Sequence, residues 1–415
     1  MRRQRRILVL GEVLQPSGYA TVLQGLLPFL DDRFEIHVFA RTYTGPPQSG
    51  RWTVHPNAVY GDVWGIEQVP ALLDRIRPDL VWIVYDAVLY LVHREVLAPW
   101  PTVLYCPIDG PHPEPETIEH LAELARLVLF TETARAAVEA AALAGPGPQP
   151  PIDVIPHGLD TAVFRPECRS AEERRAIRRR LLGREDGFVV LNANRNNRRK
   201  RPDLTIEGFA QFALGRSDAY LCLHMDAARD FDLREMAAAA GIEERVIWSD
   251  RPLPPEDLNL LYNACDVGVN TSAGEGWGLV SFEHAATGAA QVVPRNSACA
   301  ELWRDAGVFL EPVETTRAPM AFCEYQDVSA EGLAEALGRL YDDPEYREDR
   351  ARRAYATATA PRYRWERLGA AWRELFEELL KGRPAEVYSL LTPAGVPDRT
   401  RNVSSPTTSG SSENS

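Results

Sequence analysis

Glu275-Gly276-Trp277-Gly278-Leu279-Val280-Ser281-Phe282-Glu283 sets two glutamates with seven residues between them, behind an apolar strand at Val267–Asn270 and ahead of a helical run ending at Gly288. A strand feeding a loop and then a helix is the repeating unit of an α/β sheet. Glycines at 276 and 278 let the backbone pass close to a ligand. The start of the expected helix, Val280–Thr287, presents unpaired N–H groups and a positive dipole end, which together suit a diphosphate. Glu283 falls in its first turn, within reach of sugar or ribose hydroxyls. The same pattern also fits a helix start whose glutamates only favour the dipole, at about 0.3–1 kcal/mol.

Moving outward, short apolar runs alternate with helical patterns in two series. Strands are expected at Ile7–Leu10, Glu35–Phe39, Leu80–Val84, Thr102–Tyr105, Leu127–Phe130 and Asp153–Ile155. A second series follows the charged helix Ala171–Leu182, with strands at Phe188–Asn192, Ala219–His224, Val246–Trp248, Val267–Val269 and Gln291–Val293. Each series predicts an open parallel sheet with helices on both faces. The expected division is a first half over 1–168, a second half over 169–350, and helices packing across both over 351–382. A disordered tail over 383–415, rich in Ser, Thr and Pro, completes the chain.

At 415 residues and 45% hydrophobic, the chain can bury two cores. Its net charge of −13 argues against a nucleic-acid partner, which needs a basic face. Six scattered cysteines form no C-x-x-C pair, so the reading is free thiols in the cytoplasm, with no metal site. The run after Arg2-Arg3-Gln4-Arg5-Arg6 is too short for a signal peptide and is interrupted by Glu12. No stretch of about 18 apolar residues occurs to span a membrane. The amphipathic run Trp365–Leu380 leaves a weak peripheral membrane contact open, although Glu374, Glu377 and Glu378 favour packing. Almost all positive charge is arginine, with lysine at Lys200 and Lys381 alone, a bias that fits a bacterial source.

E-G-W-G-L-V-S-F-E-H-A-A-T-G resembles the E-x7-E motif of retaining GT-B glycosyltransferases, family four. Three further segments carry the resemblance. Val154-Ile155-Pro156-His157-Gly158-Leu159-Asp160 with Phe164-Arg165-Pro166 is similar to the linker segment, and Lys200–Phe209 resembles K-G-x-D-x-L-I-E-A-F. Leu261–Asp266 resembles the L-Y-x-x-A-D approach to the motif. The resemblance implies two Rossmann-like domains facing across a cleft and transfer of a sugar from a nucleotide-diphosphate sugar to an acceptor hydroxyl, with retention and without a metal or other cofactor. It also implies that the diphosphate rests on Arg195, Lys200 and the backbone of Gly276, Trp277, Gly278, Leu279 and Val280, with Glu283 on the ribose and Glu275 on the transferred sugar.

Arg195 and Lys200 follow the first strand of the second series, at the strand end where open sheets bind ligands. Arg198, Arg199 and Arg201 read as a solvated basic loop. Ser17-Gly18-Tyr19 follows the first strand of the chain and stands where the family often has a Gly-Gly loop near the donor phosphate. A plain turn explains it nearly as well.

After the strand Thr102–Tyr105, many relatives carry a histidine near the reacting carbon. This chain has Asp109, with His112 three residues on. Asp109 is the preferred candidate, since a carboxylate can hold a hydroxyl or favour positive charge at the anomeric carbon. Asp230-Phe231-Asp232 superficially matches a D-x-D metal site, but it opens a helix, where aspartates cap. A sugar phosphorylase would need a cofactor lysine, and two lysines in the chain weigh against it. The remaining alternatives are a GT-B-type epimerase and a non-catalytic nucleotide-sugar-binding subunit.

Overall fold

Every one of the five residues in each of Leu80–Val84, Thr102–Cys106, Phe188–Asn192 and Ala290–Pro294 is buried, as expected of central parallel strands covered on both faces. The structure is a computed structural model describing residues 3–145, 147–168, 170–317 and 322–381, which pack as one compact unit. The tail expected over 383–415 and Arg169 at the expected border lie outside the described residues.

The first sheet is built from β1 (Arg5–Gly11), β2 (Phe34–Ala40), β3 (Gln48–Ser49), β4 (Thr53–Pro56), β5 (Leu80–Val84), β6 (Thr102–Cys106), β7 (Arg126–Leu129) and β8 (Ile152–Val154). Their spatial order is β3-β4-β2-β1-β5-β6-β7-β8, all parallel except the β3/β4 edge pair. Side chains alternate across the sheet, so Ile7 and Val9 enter one core while Leu8 and Leu10 enter another on the opposite face.

The second sheet contains β9 (Phe188–Asn192), β10 (Ala219–Leu223), β11 (Val246–Trp248), β12 (Val267–Val269), β13 (Ala290–Pro294) and β14 (Val308–Leu310). Its order, β11-β10-β9-β12-β13-β14, is parallel throughout. The doubly wound α/β class read from the sequence is what the molecule shows.

β3, β4 and β14 were not expected from the sequence, and two further features went unread. β15 (Pro312–Thr316) and β16 (Tyr325–Val328) form an antiparallel hairpin. Its first strand is mostly exposed, so no apolar alternation marked it. The other is where the chain's end goes. The helix Pro344–Ala358 packs on β13, whereas Trp365–Leu380 returns to cover the first sheet. There Trp372 packs against Trp82, tilted, and against Tyr105, edge to face, at 4.7 and 4.8 Å between ring centres. Arg373 donates to the Phe29 carbonyl at 2.6 Å and pairs with Asp32 at 2.7 Å. The apolar face of this helix is thus packed against the first sheet. Among the described residues, no helix is long and apolar enough to cross a membrane.

Candidate active site

The segment after β9 is held by its own polar residues. Asn194 donates from its backbone N–H to the Asn192 side chain at 3.0 Å, and the Asn196 amide donates to the carbonyls of Asp226 and Phe231. Lys200 N–H donates to Asn197 Oδ1 at 2.9 Å. At its far end Arg201 takes a left-handed backbone, φ 50°, with its guanidinium clamped by Asp203 and Asp327. Pro202 then starts the next helix at its first position, where its missing N–H is harmless.

This turn drives Arg199 and Lys200 inward, while Arg195 and Arg198 stay exposed. The solvated-loop reading therefore fails for Arg199 and Arg201. A run of cations looks alike in sequence, but Arg201 has two carboxylate partners and Arg199 sits among acidic groups in the cleft.

The E-x7-E loop meets these cations. Lys200 Nζ forms a buried ion pair with Glu275 Oε2, which also accepts from Asn270 Nδ2 at 3.3 Å. Burial alone would raise the Glu275 carboxyl, but the Lys200 ammonium and the Arg199 guanidinium outweigh it and leave Glu275 below its ordinary range. Burial pulls Lys200 down, opposed by Glu275. The loop passes close to the other half, since a Cβ on Gly276 would lie 2.4 Å from Pro107 Cβ. Gly278 turns with φ 90°, a conformation suited to glycine.

The following helix is short, Leu279–Ala285, and the amides of Ser281 and Phe282 bond back to the Gly278 carbonyl. Its dipole is correspondingly small, so most of the attraction this loop offers an anion rests on the fixed cations beside it. The Trp277 side chain stacks on Phe282 with ring centres 4.9 Å apart, which leaves only its backbone to the donor. Glu283 is buried beneath the loop and accepts from Tyr262 OH at 3.0 Å. Burial raises its carboxyl to about 7, with the tyrosine bond opposing.

The first half presents its strand ends opposite. Ser17 caps the helix Gly18–Leu26 by accepting from Ala20 N at 3.1 Å. Gly18 faces the second half, 3.4 Å separating the place of a Cβ from Leu279 Cδ1. Asp109 comes from the loop after β6, its Oδ1 3.5 Å from Arg199 Nη1. Arg199 Nη1 also lies 3.9 Å from Glu275 Oε1, so one guanidinium links a carboxylate from each half. Arg195 is near enough to act electrostatically on Tyr85 of the opposite half.

One residue here was not singled out from the sequence. Asp86, just beyond β5, accepts from Tyr19 OH at 2.8 Å, and burial first, then the Asp109 charge, raises its carboxyl. Its position at a strand end was the available signal. His112 points outward with a left-handed backbone, bonded to Glu324 at 2.7 Å. His157 is packed between Tyr105, Phe130 and Trp277, and burial holds it down at about 3. Asp232 caps its helix through Glu235 N at 3.0 Å.

The hairpin closes the gap from the side. Glu324 N donates to the Pro111 carbonyl at 2.9 Å, and Glu114 N to the Phe322 carbonyl at 3.0 Å. Arg317 donates to the His112 carbonyl at 2.7 Å. This clasp fixes the Asp109 loop against the donor side.

Comparison with known proteins accords with this arrangement. Residues 173–357 match the family model described as glycosyl transferases group 1. A D-inositol 3-phosphate glycosyltransferase of Salinispora tropica is 32% identical over 283 residues, covering 62% of this chain and 52% of that protein. Its counterpart from Acidothermus cellulolyticus is 31% identical over 226 residues, 52% of this chain and 45% of the relative. The chain thus spans about half the length of the curated relatives it matches. Among solved structures, sucrose-phosphate synthase from Thermosynechococcus elongatus superimposes with TM-score 0.70 at 17% identity, over 91% of this chain and 99% of that one. Anabaena HepE, solved with UDP-glucose, gives TM-score 0.69 at 18% identity over 90% and 99%. Identities this low speak for the fold, which is GT-B.

Proposed function

We propose that this chain, a glycosyltransferase whose residues 173–357 form a group 1 domain, moves a sugar from a nucleoside-diphosphate donor to an acceptor hydroxyl with retention of configuration and without a metal ion. The observation that carries the reading is the meeting of Glu275, Lys200 and Arg199 with Asp109 across one gap, beside the exposed Arg195.

Breaking a glycosidic bond to a diphosphate puts negative charge on the leaving oxygen and positive charge on the ring. Cations already in place favour that separation over the ground state. Arg195 is exposed toward the gap, and Lys200, held by Glu275 without a ligand, can turn its remaining donors to the diphosphate. Glu275 then faces the hydroxyls of the transferred sugar and Asp109 approaches from the acceptor side. Glu283 takes the ribose, and the leaving phosphate receives the acceptor's proton during front-face attack. Neutralisation of the diphosphate by protein cations supports the metal-free reading. Six free thiols suit a reducing cytoplasm.

UDP-glucose, found in the HepE structure, is the first donor to try, and D-inositol 3-phosphate, named for the curated relatives, the first acceptor. The test incubates the protein with UDP-, GDP-, ADP- and dTDP-sugars, with and without EDTA, and measures released nucleoside diphosphate. Release that survives EDTA is expected. Donor binding with no release under any acceptor overturns the reading.

A further inference from the structure

We propose that Arg199 is a positioning residue that reaches from the donor half to set Asp109 and Glu275 against the transferred sugar when the cleft is closed. The inference rests on the glycosyl-transfer reading for its consequence, but on the contacts below for its substance.

Arg199 is fixed from behind. Its carbonyl accepts from Ala273 N at 2.8 Å, and the next two residues are locked by the Glu275 ion pair and by the double clamp on Arg201. Its Nη1 donates to the Gly274 carbonyl at 2.5 Å, the residue directly before Glu275. The same nitrogen faces Asp109 at 3.5 Å and Glu275 at 3.9 Å. A planar guanidinium that never loses its proton holds two carboxylates at a set separation, which a point-charge ammonium on a flexible stem does less well.

The groups facing it come from every side of the gap. Asp109 and Asp86 lie on loops of the first half, Glu275 and Lys200 on loops of the second, and Tyr325 on the hairpin. Burial would lower the guanidinium, but Asp109 and then Glu275 reverse this and raise it. Without that cation, Asp86, Asp109 and Glu275 would face one another with only Lys200 and the more distant Arg41 to offset them, and like charges at close range disfavour ionisation. Exposed Arg198, one residue earlier, makes no such contact and serves as control.

The experiment compares Arg199→Gln, Arg199→Lys and Arg198→Gln in the full chain. Carboxyl NMR titration of the ligand-free protein reads Glu275 and Asp109 directly. Arg199→Gln is expected to raise the Glu275 midpoint by about 1 unit or more, with Arg198→Gln like wild type. With donor and acceptor, kcat should fall ~100-fold, UDP affinity should stay near wild type, and the acid limb of the pH profile should move up. Arg199→Lys should recover part of the titration shift and little of kcat; it carries the same readouts if the glutamine variant does not fold. Identical carboxyl titrations in Arg199→Gln and Arg198→Gln, or an unchanged kcat, overturn the proposal. A wild-type protein inert toward every donor refutes the transferase reading instead, and the titration still decides the role of Arg199.

Discussion

The two faces of the cleft are built by different means. On the donor face, Arg195, Arg199, Lys200, Glu275 and Glu283 come from two segments and are aimed by local devices: asparagine bonds, a left-handed turn at Arg201 and a glycine at 278. On the opposite face, Tyr19, Asp86 and Asp109 come from three segments, one of them a helix start, brought together only by β1, β5 and β6 lying side by side. Asp109 is held in addition by a clasp belonging to the other half. A donor face of this kind can be passed along as a motif, while a face assembled like the opposite one can change one segment at a time.

Four perturbations would break or sharpen the comparison. The largest effect belongs to Glu275. Its removal as alanine strands a buried ammonium, and breaking such a pair is worth about 3–5 kcal/mol of stability, so glutamine is the cleaner change. Glu275→Gln should lower turnover ~1000-fold with a folded protein by circular dichroism. Donor turnover within a few-fold of wild type would remove Glu275 from the chemistry.

Asp109→Asn comes next and tests the opposite face. A fall in kcat of ~10–100-fold is expected with donor KM nearly unchanged, because Asp109 stands across the gap from the diphosphate. A donor KM that rises while kcat holds would put Asp109 on the donor side instead.

Glu283 gives the third. Its carboxyl is near 7 in the fold against 4.5 as the ordinary value. A carboxyl raised by folding favours the folded state fully below about 4.5, and that advantage is lost as pH rises through about 7. Denaturant melts should therefore show stability declining across that window by on the order of 3 kcal/mol, and Glu283→Gln should flatten the slope. Equal slopes in both proteins would show that Glu283 titrates normally.

The smallest effect is expected at the clasp. His112 is exposed, and solvent screens its bond to Glu324. His112→Ala should change kcat/KM by only a few-fold, since three backbone hydrogen bonds or carbonyl contacts of the clasp persist without its ring. A loss as large as that of Asp109→Asn would mean the ring itself holds the cleft shut.

Legibility in the sequence followed the same divide. The two sheets were readable because their strands are continuous apolar runs, and the donor loops were readable because their residues lie within a few positions of each other. Asp86 and Tyr19 are 67 positions apart and meet only through sheet order, which no local pattern encodes. Arg199 was misjudged because a run of arginines gives no sign of which one the Arg201 turn will direct inward. The hairpin escaped notice because β15 buries almost nothing. The helix Trp365–Leu380 was plain from its periodicity, but periodicity names no partner, and its attachment to the first sheet was invisible.

That attachment has a consequence for how the molecule is made. Trp82 and Tyr105 belong to the first sheet, yet the ring that covers them, Trp372, is synthesised only after the whole second sheet. Until then the leading half must wait with an aromatic seam open to water, a stage at which unfinished proteins stick to one another. A gene cut at the boundary between the two sheets should give an N-terminal product that needs a chaperone or precipitates, and supplying the terminal helix as a separate peptide should rescue it.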